Sequence, residues 1–163
     1  MNDEINNIVT LHKTGQYNKA LENIKILLVK ENNNPILHNL NGIIYLSLKD
    51  YENSIKSFTK AISLKENLYP AYLNRAIAYN EIRDFQKAIA DCKKTIELNP
   101  NISEAYNGLG IALKSIGNKN ESIEYFVKAL NFNPKNNHSS ENLIKTLTNV
   151  EYNKNQDNKF IYT

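Results

Sequence analysis

Slid along itself by 34 residues, this sequence repeats. Asp50-Tyr51 falls on Asp84-Phe85, and Ser54-Ile55 on Ala88-Ile89 and then on Ser122-Ile123. Gly42 falls on Ala76 and Gly110, Tyr45 on Tyr79 and Leu113, and Pro100 on Pro134. The register runs without a gap through residues 1–34, 35–68, 69–102 and 103–136. A fixed period of this length means one supersecondary unit copied and stacked, each copy covering the apolar face its neighbour leaves open.

The unit reads as two amphipathic helices. In the last copy Tyr106, Leu109, Gly110 and Leu113 recur at spacings of three and four, which marks one face of a helix. Gly117-Asn118 is a turn signal. Ile123, Phe126, Ala129 and Leu130 mark a second face, and Asn133-Pro134 ends it, because the residue before a proline is pushed out of helical angles. Small residues recur where the two helices must cross closely: Gly42, Ala76 and Gly110 in the first, Ala20, Ser54, Ala88 and Ser122 in the second. After residue 136, Ser140 is placed to cap a closing helix of about 138–150 carrying Leu143, Ile144, Leu147 and Val150. The stretch 151–163 is polar and reads as a disordered tail, with Phe160-Ile161-Tyr162 its single apolar cluster.

Composition narrows the function by exclusion. The formal net charge is only +3 and is dispersed, with no basic stripe of the kind nucleic acid requires. The one cysteine, Cys92, can build neither a disulfide framework nor a zinc site, and lies on the apolar side of its helix, where a thiol is a small hydrophobe. His12, His38 and His138 are scattered, so no metal site is expected. No P-loop, GxGxxG or GxSxG string occurs, and Gly108-Leu109-Gly110 falls inside a helix. The expectation is a protein with neither cofactor nor catalysis. Neither a secretory leader nor a membrane-length apolar run is read in the sequence, which gives a cytoplasmic expectation.

Period, paired helices and key positions resemble the tetratricopeptide repeat over residues 1–136. The fourth copy matches best, with Tyr106-x2-Leu109-Gly110-x2-Leu113, then Ser122-x3-Phe126-x2-Ala129, then Pro134. The third has Cys92 and Thr95 where an aromatic and a small residue are usual. The second has His38 and Asn41 at positions often apolar and Glu66 in place of the closing proline, and the first opens with Glu4 and Asn7. The fold this resemblance implies is an all-α, right-handed superhelical solenoid of four helix-turn-helix repeats plus a C-terminal capping helix.

The resemblance also implies a concave surface lined by the first helix of each repeat. On this sequence the lining residues are Asn39, Leu40 and Ile43, then Leu73, Asn74 and Ile77, then Asn107 and Ile111. Leu46, Ser47, Asn80, Glu81, Gly108, Lys114 and Ser115 face it as well, and Ile5, Asn6, Val9, His12 and Lys13 extend it in the first copy. An apolar floor set with amides suits a peptide held by its main chain, since an Asn side chain both donates and accepts. The implied function is a protein-interaction scaffold for a peptide of a partner protein, without nucleic acid and without a membrane span. The alternative is an accessory module that presents substrates to a separate transferase-type enzyme or belongs to a larger assembly. A subset of the family grips the C-terminal carboxylate of heat-shock chaperones with two Lys, two Asn and one Arg. Aligned on copies two to four, this sequence keeps only Asn74, with Asn39, Ile43, Glu104 and Gly108 at the other places. Aligned on copies one to three it has Ile5, Val9, Leu40, Pro70 and Asn74. Such a carboxylate is therefore not the expected ligand.

Overall fold

The computed structural model describes the backbone of residues 2–159 and the side chains of residues 3–148. Among these residues the chain is all-helical: α1 (Asn2–Lys13), α2 (Tyr17–Lys30), α3 (Pro35–Ser47), α4 (Tyr51–Leu64), α5 (Tyr69–Glu81), α6 (Phe85–Leu98), α7 (Ser103–Ser115), α8 (Lys119–Phe132) and α9 (Asn137–Lys159). The chain divides into two compact units, Met1–Asp84 and Phe85–Thr163. In the first, each helix from α1 to α5 packs on the next, and α3 also meets α5. In the second, the same holds from α6 to α9, and α7 also meets α9. Two first helices of successive repeats thus lie side by side in each unit, and their common face is where a ligand surface can form.

In the first unit Ile8, Ala20, Ile24, Leu27, Leu37 and Ile44 make one buried cluster, and Ala61, Leu68 and Ala71 another. The small residues stand where the helices touch. A Cβ on Gly42 would lie 2.5 Å from the fully buried ring of Phe58, and one on Gly110 would lie 2.6 Å from that of Phe126. Glycine is what lets each pair of helices close over an aromatic ring. Ser54 adds a tie across the same crossing, its hydroxyl donating to the Gly42 carbonyl at 2.9 Å.

The turn inside each repeat uses one residue with positive φ, always at the fifteenth place: Gly15 (76°), Lys49 (60°), Arg83 (64°) and Gly117 (92°). Only two of the four are glycines, so Lys49 and Arg83 hold a left-handed conformation that an L side chain resists. Asparagine and aspartate cap the starts of α3 and α4. The Asn34 carboxamide accepts from the N–H groups of Ile36 and Leu37 at 3.0 and 3.4 Å, ahead of Pro35 at the start of α3. Asp50 caps α4 by accepting from the Asn53 N–H at 3.2 Å.

The closing helix starts at Asn137, within a residue of the expected 138, but its cap is a different residue. Asn136, not Ser140, is the cap: its side chain accepts from the Ser139 N–H at 3.1 Å. Ser140 is already inside α9, and its hydroxyl donates back to the Asn136 carbonyl at 3.2 Å. An asparagine two residues after Pro134 therefore serves the same role here as Asn34 serves before α3. The helical backbone is described to Lys159, past the expected end near 150, in a stretch with neither Gly nor Pro to stop it. Phe160-Ile161-Tyr162 lies outside the described residues.

Candidate functional site

The eight residues expected to line the ligand surface divide between the units. Asn39, Leu40 and Ile43 on α3 and Leu73, Asn74 and Ile77 on α5 belong to the first; Asn107 and Ile111 on α7 belong to the second. Ile77 is exposed, at 40% of its surface, and the other seven are half-buried. Leu40 packs against the Ile8–Ile44 cluster, so part of its side chain serves the core.

The amides are joined in pairs. The Asn74 side chain donates to the Asn39 side-chain oxygen at 3.4 Å, bridging α5 and α3. In the second unit Asn142 of α9 donates to the Asn107 side-chain oxygen, also at 3.4 Å. Both pairs span 35 residues, one more than the repeat, so each joins the fifth place of one copy to the sixth place of the next. The sequence reading missed Asn142, because α9 was taken as a cap rather than as a fifth first-helix; carrying the 34-residue register one step beyond residue 136 finds it. These bonds are long and lie on a partly open face. Each pair keeps donor and acceptor capacity for a further partner, since a carboxamide offers two N–H groups and two oxygen lone pairs.

Ile43 stands four residues after Asn39 on α3, Ile77 three after Asn74 on α5, and Ile111 four after Asn107 on α7, spacings that share a helix face. At the margin of the first unit the His12 Nε2 lies 2.8 Å from the Ser47 hydroxyl, another contact over 35 residues that ties α1 to α3. His38 turns away from the surface, its Nε2 donating to the Asn32 carbonyl at 2.7 Å. Of the repeated tyrosines, Tyr106 is buried, its hydroxyl donating to the Pro100 carbonyl at 2.9 Å and its ring stacked 5.1 Å from Phe132. Tyr45, Tyr72 and Tyr79 are half-buried.

Cys92 is buried against α7: a Cβ on Gly108 would lie 3.1 Å from its sulfur. Burial pushes its thiol up to about 12, with the nearby Asp91 carboxylate adding to the rise. A thiol so held stays protonated and is a poor nucleophile. Among the described residues, no three His, Cys, Asp or Glu side chains converge as a metal site would need, and no helix is long and apolar enough to cross a membrane.

Helical hairpins packed consecutively in this way define an all-α helical-repeat solenoid. The chain belongs to the tetratricopeptide-repeat family, whose models match residues 37–68, 69–102 and 103–136. Among solved structures it is similar to MamA (residues 41 to the end) from Desulfovibrio magneticus RS-1, with a TM-score of 0.83, 22% identity, and coverage of 97% of this chain and 89% of that one. It is similar to the first TPR domain of Spaghetti (RPAP3) bound to the HSP90 peptide SRMEEVD, at a TM-score of 0.69 and 23% identity over 72% of this chain and 93% of that one. A third likeness is to the second TPR domain of human RPAP3 in complex with the HSP70 peptide SGPTIEEVD, with a TM-score of 0.64 and 27% identity over 69% of this chain and 97% of that one. The likenesses below 25% identity speak for the fold alone. No curated protein matches the sequence.

Proposed function

We propose that this chain is a protein-interaction scaffold that holds a peptide segment of a partner protein against its first helices and performs no chemistry of its own. The observation that carries this reading is the paired amides of Asn39 and Asn74, with Ile43 beside them and Ile77 40% exposed. Amides in register can hold a peptide main chain, and aliphatic side chains between them offer it apolar contact. The peptide-bound RPAP3 domains support the same use of the fold. Heat-shock tails themselves are poor candidates here, because the clamp places carry Asn39, Ile43, Glu104 and Gly108, which offer a carboxylate no cation. The same reading puts the scaffold in the cytoplasm, where a lone thiol such as Cys92 stays reduced.

The test is Ile77→Glu. Peptides selected from a display library against the wild-type chain should bind this variant at least about tenfold more weakly, the order expected when a buried apolar contact is replaced by a charge. Its helical circular dichroism should be unchanged, because Ile77 is exposed. Unchanged affinity would remove the surface from consideration, and loss of helicity would show that Ile77 belongs to the core.

A further inference from the structure

The outer side of α2 departs from that of the other second helices. At the twenty-sixth place of the repeat α4, α6 and α8 carry Lys60, Lys94 and Lys128, whereas α2 carries Ile26. At the twenty-ninth they carry Ser63, Glu97 and Asn131, whereas α2 carries Val29. Ile26 is 59% exposed and Val29 86%. Three copies of the unit fold with polar side chains at both places, so packing within the repeat does not call for these two aliphatics.

Beside them an open groove of about 230 Å³ runs between α1 and α2, lined by Glu4, Asn7, Ile8, Asn23, Ile26 and Leu27. The second repeat closes the equivalent place. There Asn41 and Ser57 take the positions of Asn7 and Asn23, are 9% and 7% exposed, and are joined by a 2.9 Å bond from the Asn41 amide to the Ser57 hydroxyl. Protrusion and recess thus share one patch in the first repeat, which is what a contact between two identical surfaces requires.

The charges fit such a contact in one orientation. Glu22 and Lys30, both exposed, lie four residues before and four after Ile26, on the same side of α2. Two α2 helices crossing antiparallel about a two-fold axis at Ile26 bring Glu22 of each copy opposite Lys30 of the other. The same crossing sets Val29 of each opposite Asn23, a wall of the other's groove. Parallel helices would oppose like charges. Lys30 also meets Glu4 at 3.3 Å within its own copy, but the two side chains are 60% and 51% exposed, which leaves the ammonium open to a second carboxylate.

We propose that the chain forms a two-fold dimer through α2, with Ile26 and Val29 of each copy set against the α1–α2 groove of the other and two Glu22–Lys30 pairs at the rim. One helix from each copy makes a small interface, so dissociation in the micromolar range is expected. The contact uses none of the residues proposed to hold peptide, so the two readings stand or fall separately.

The experiment is analytical ultracentrifugation of the full chain from about 10 to about 500 µM, a range that brackets micromolar dissociation. The wild type should pass from monomer to dimer. Ile26→Lys with Val29→Ser, which gives the first repeat the residues of the second, should stay monomeric with unchanged thermal unfolding, because both side chains are exposed. Glu22→Lys and Lys30→Glu should each weaken self-association at least about tenfold, and an equimolar mixture of the two should restore it, since one copy then offers only lysines and the other only glutamates. A wild type that stays monomeric throughout overturns the proposal and leaves the patch to a helix of another protein. Dimers that persist in the Ile26/Val29 variant place the contact elsewhere and overturn it too. A mixture that associates no better than its components overturns the antiparallel arrangement, and assemblies that grow beyond the dimer overturn the closed two-fold.

Discussion

The first and second repeats close the same helix crossing with opposite distributions of bulk. In the second, the eighth place is Gly42 and the twenty-fourth is Phe58, and the ring occupies the space a Cβ would need. The fourth repeat does the same with Gly110 and Phe126. In the first, both places are isoleucine, and Ile8 and Ile24 are buried in one cluster. One large and one minimal side chain, or two of middle size, fill the gap, because a packed core responds to total volume and shape more than to which helix supplies them.

That comparison is broken most directly by removing the ring. Phe58→Ala should destabilise the chain by about 3 to 5 kcal/mol, because Gly42 offers nothing to fill the space; guanidinium unfolding followed by circular dichroism measures it. A loss below about 1 kcal/mol would mean that the crossing collapses around the void. The comparison is sharpened by exchange. Gly42→Ile alone meets the Phe58 ring and Phe58→Ile alone leaves a gap, but together they install the pair found in the first repeat. The double variant should recover at least about 1 kcal/mol relative to the sum of the single losses, as expected for residues in contact. Strict additivity would show that the two repeats reach their packing independently of this pair.

The third repeat has Cys92 at the twenty-fourth place, and there burial has a chemical consequence. The folded thiol is raised to about 12 from an ordinary value near 9.0, so above that ordinary value the unfolded chain loses a proton that the folded chain keeps. The unfolded state then binds fewer protons, and stability falls as pH rises from about 9 toward 12. The slope approaches about 1.4 kcal/mol per pH unit, or roughly 1 to 2 kcal/mol lost by pH 10. Below pH 8 the thiol contributes no pH dependence. The variant Cys92→Ala should flatten the alkaline limb of a stability–pH profile, and a limb that persists unchanged would assign it to other groups.

The parts legible in the sequence were those written in side-chain size and period. Glycine at 42 and 110, small residues at 20, 54, 88 and 122, and the Gly117-Asn118 turn all stand where the 34-residue register put them. Contacts that obey a second spacing were hidden. The amide pairs and the His12–Ser47 contact run over 35 residues, because neighbouring first helices meet one place out of step. A self-comparison at 34 aligns equivalent places and so cannot show which unlike places touch. The Asn136 cap was overlooked for a related reason: Ser140 is also a capping type, and only backbone direction decides between them. The left-handed residues Lys49 and Arg83 carry no local signal, since long cations are not turn formers.

Those two residues give the smallest effect and a clean contrast with Gly15 and Gly117. All four turns have the same backbone shape, so the side chain is the variable. Lys49→Gly and Arg83→Gly should each stabilise by roughly 0.5 to 1 kcal/mol: relief of the left-handed strain exceeds the extra freedom that glycine gives the unfolded chain. Gly15→Ala and Gly117→Ala should each destabilise by about 1 kcal/mol, and for backbone reasons alone, because no atom lies within 4 Å of an added Cβ at either site. Thermal midpoints of the four variants should therefore move in opposite directions by a few degrees. If the glycine variants at 49 and 83 lose stability instead, Lys49 and Arg83 contribute contacts at the turn that outweigh their strain, and the second and third repeats would hold their turns by side chains where the first and fourth hold theirs by backbone freedom.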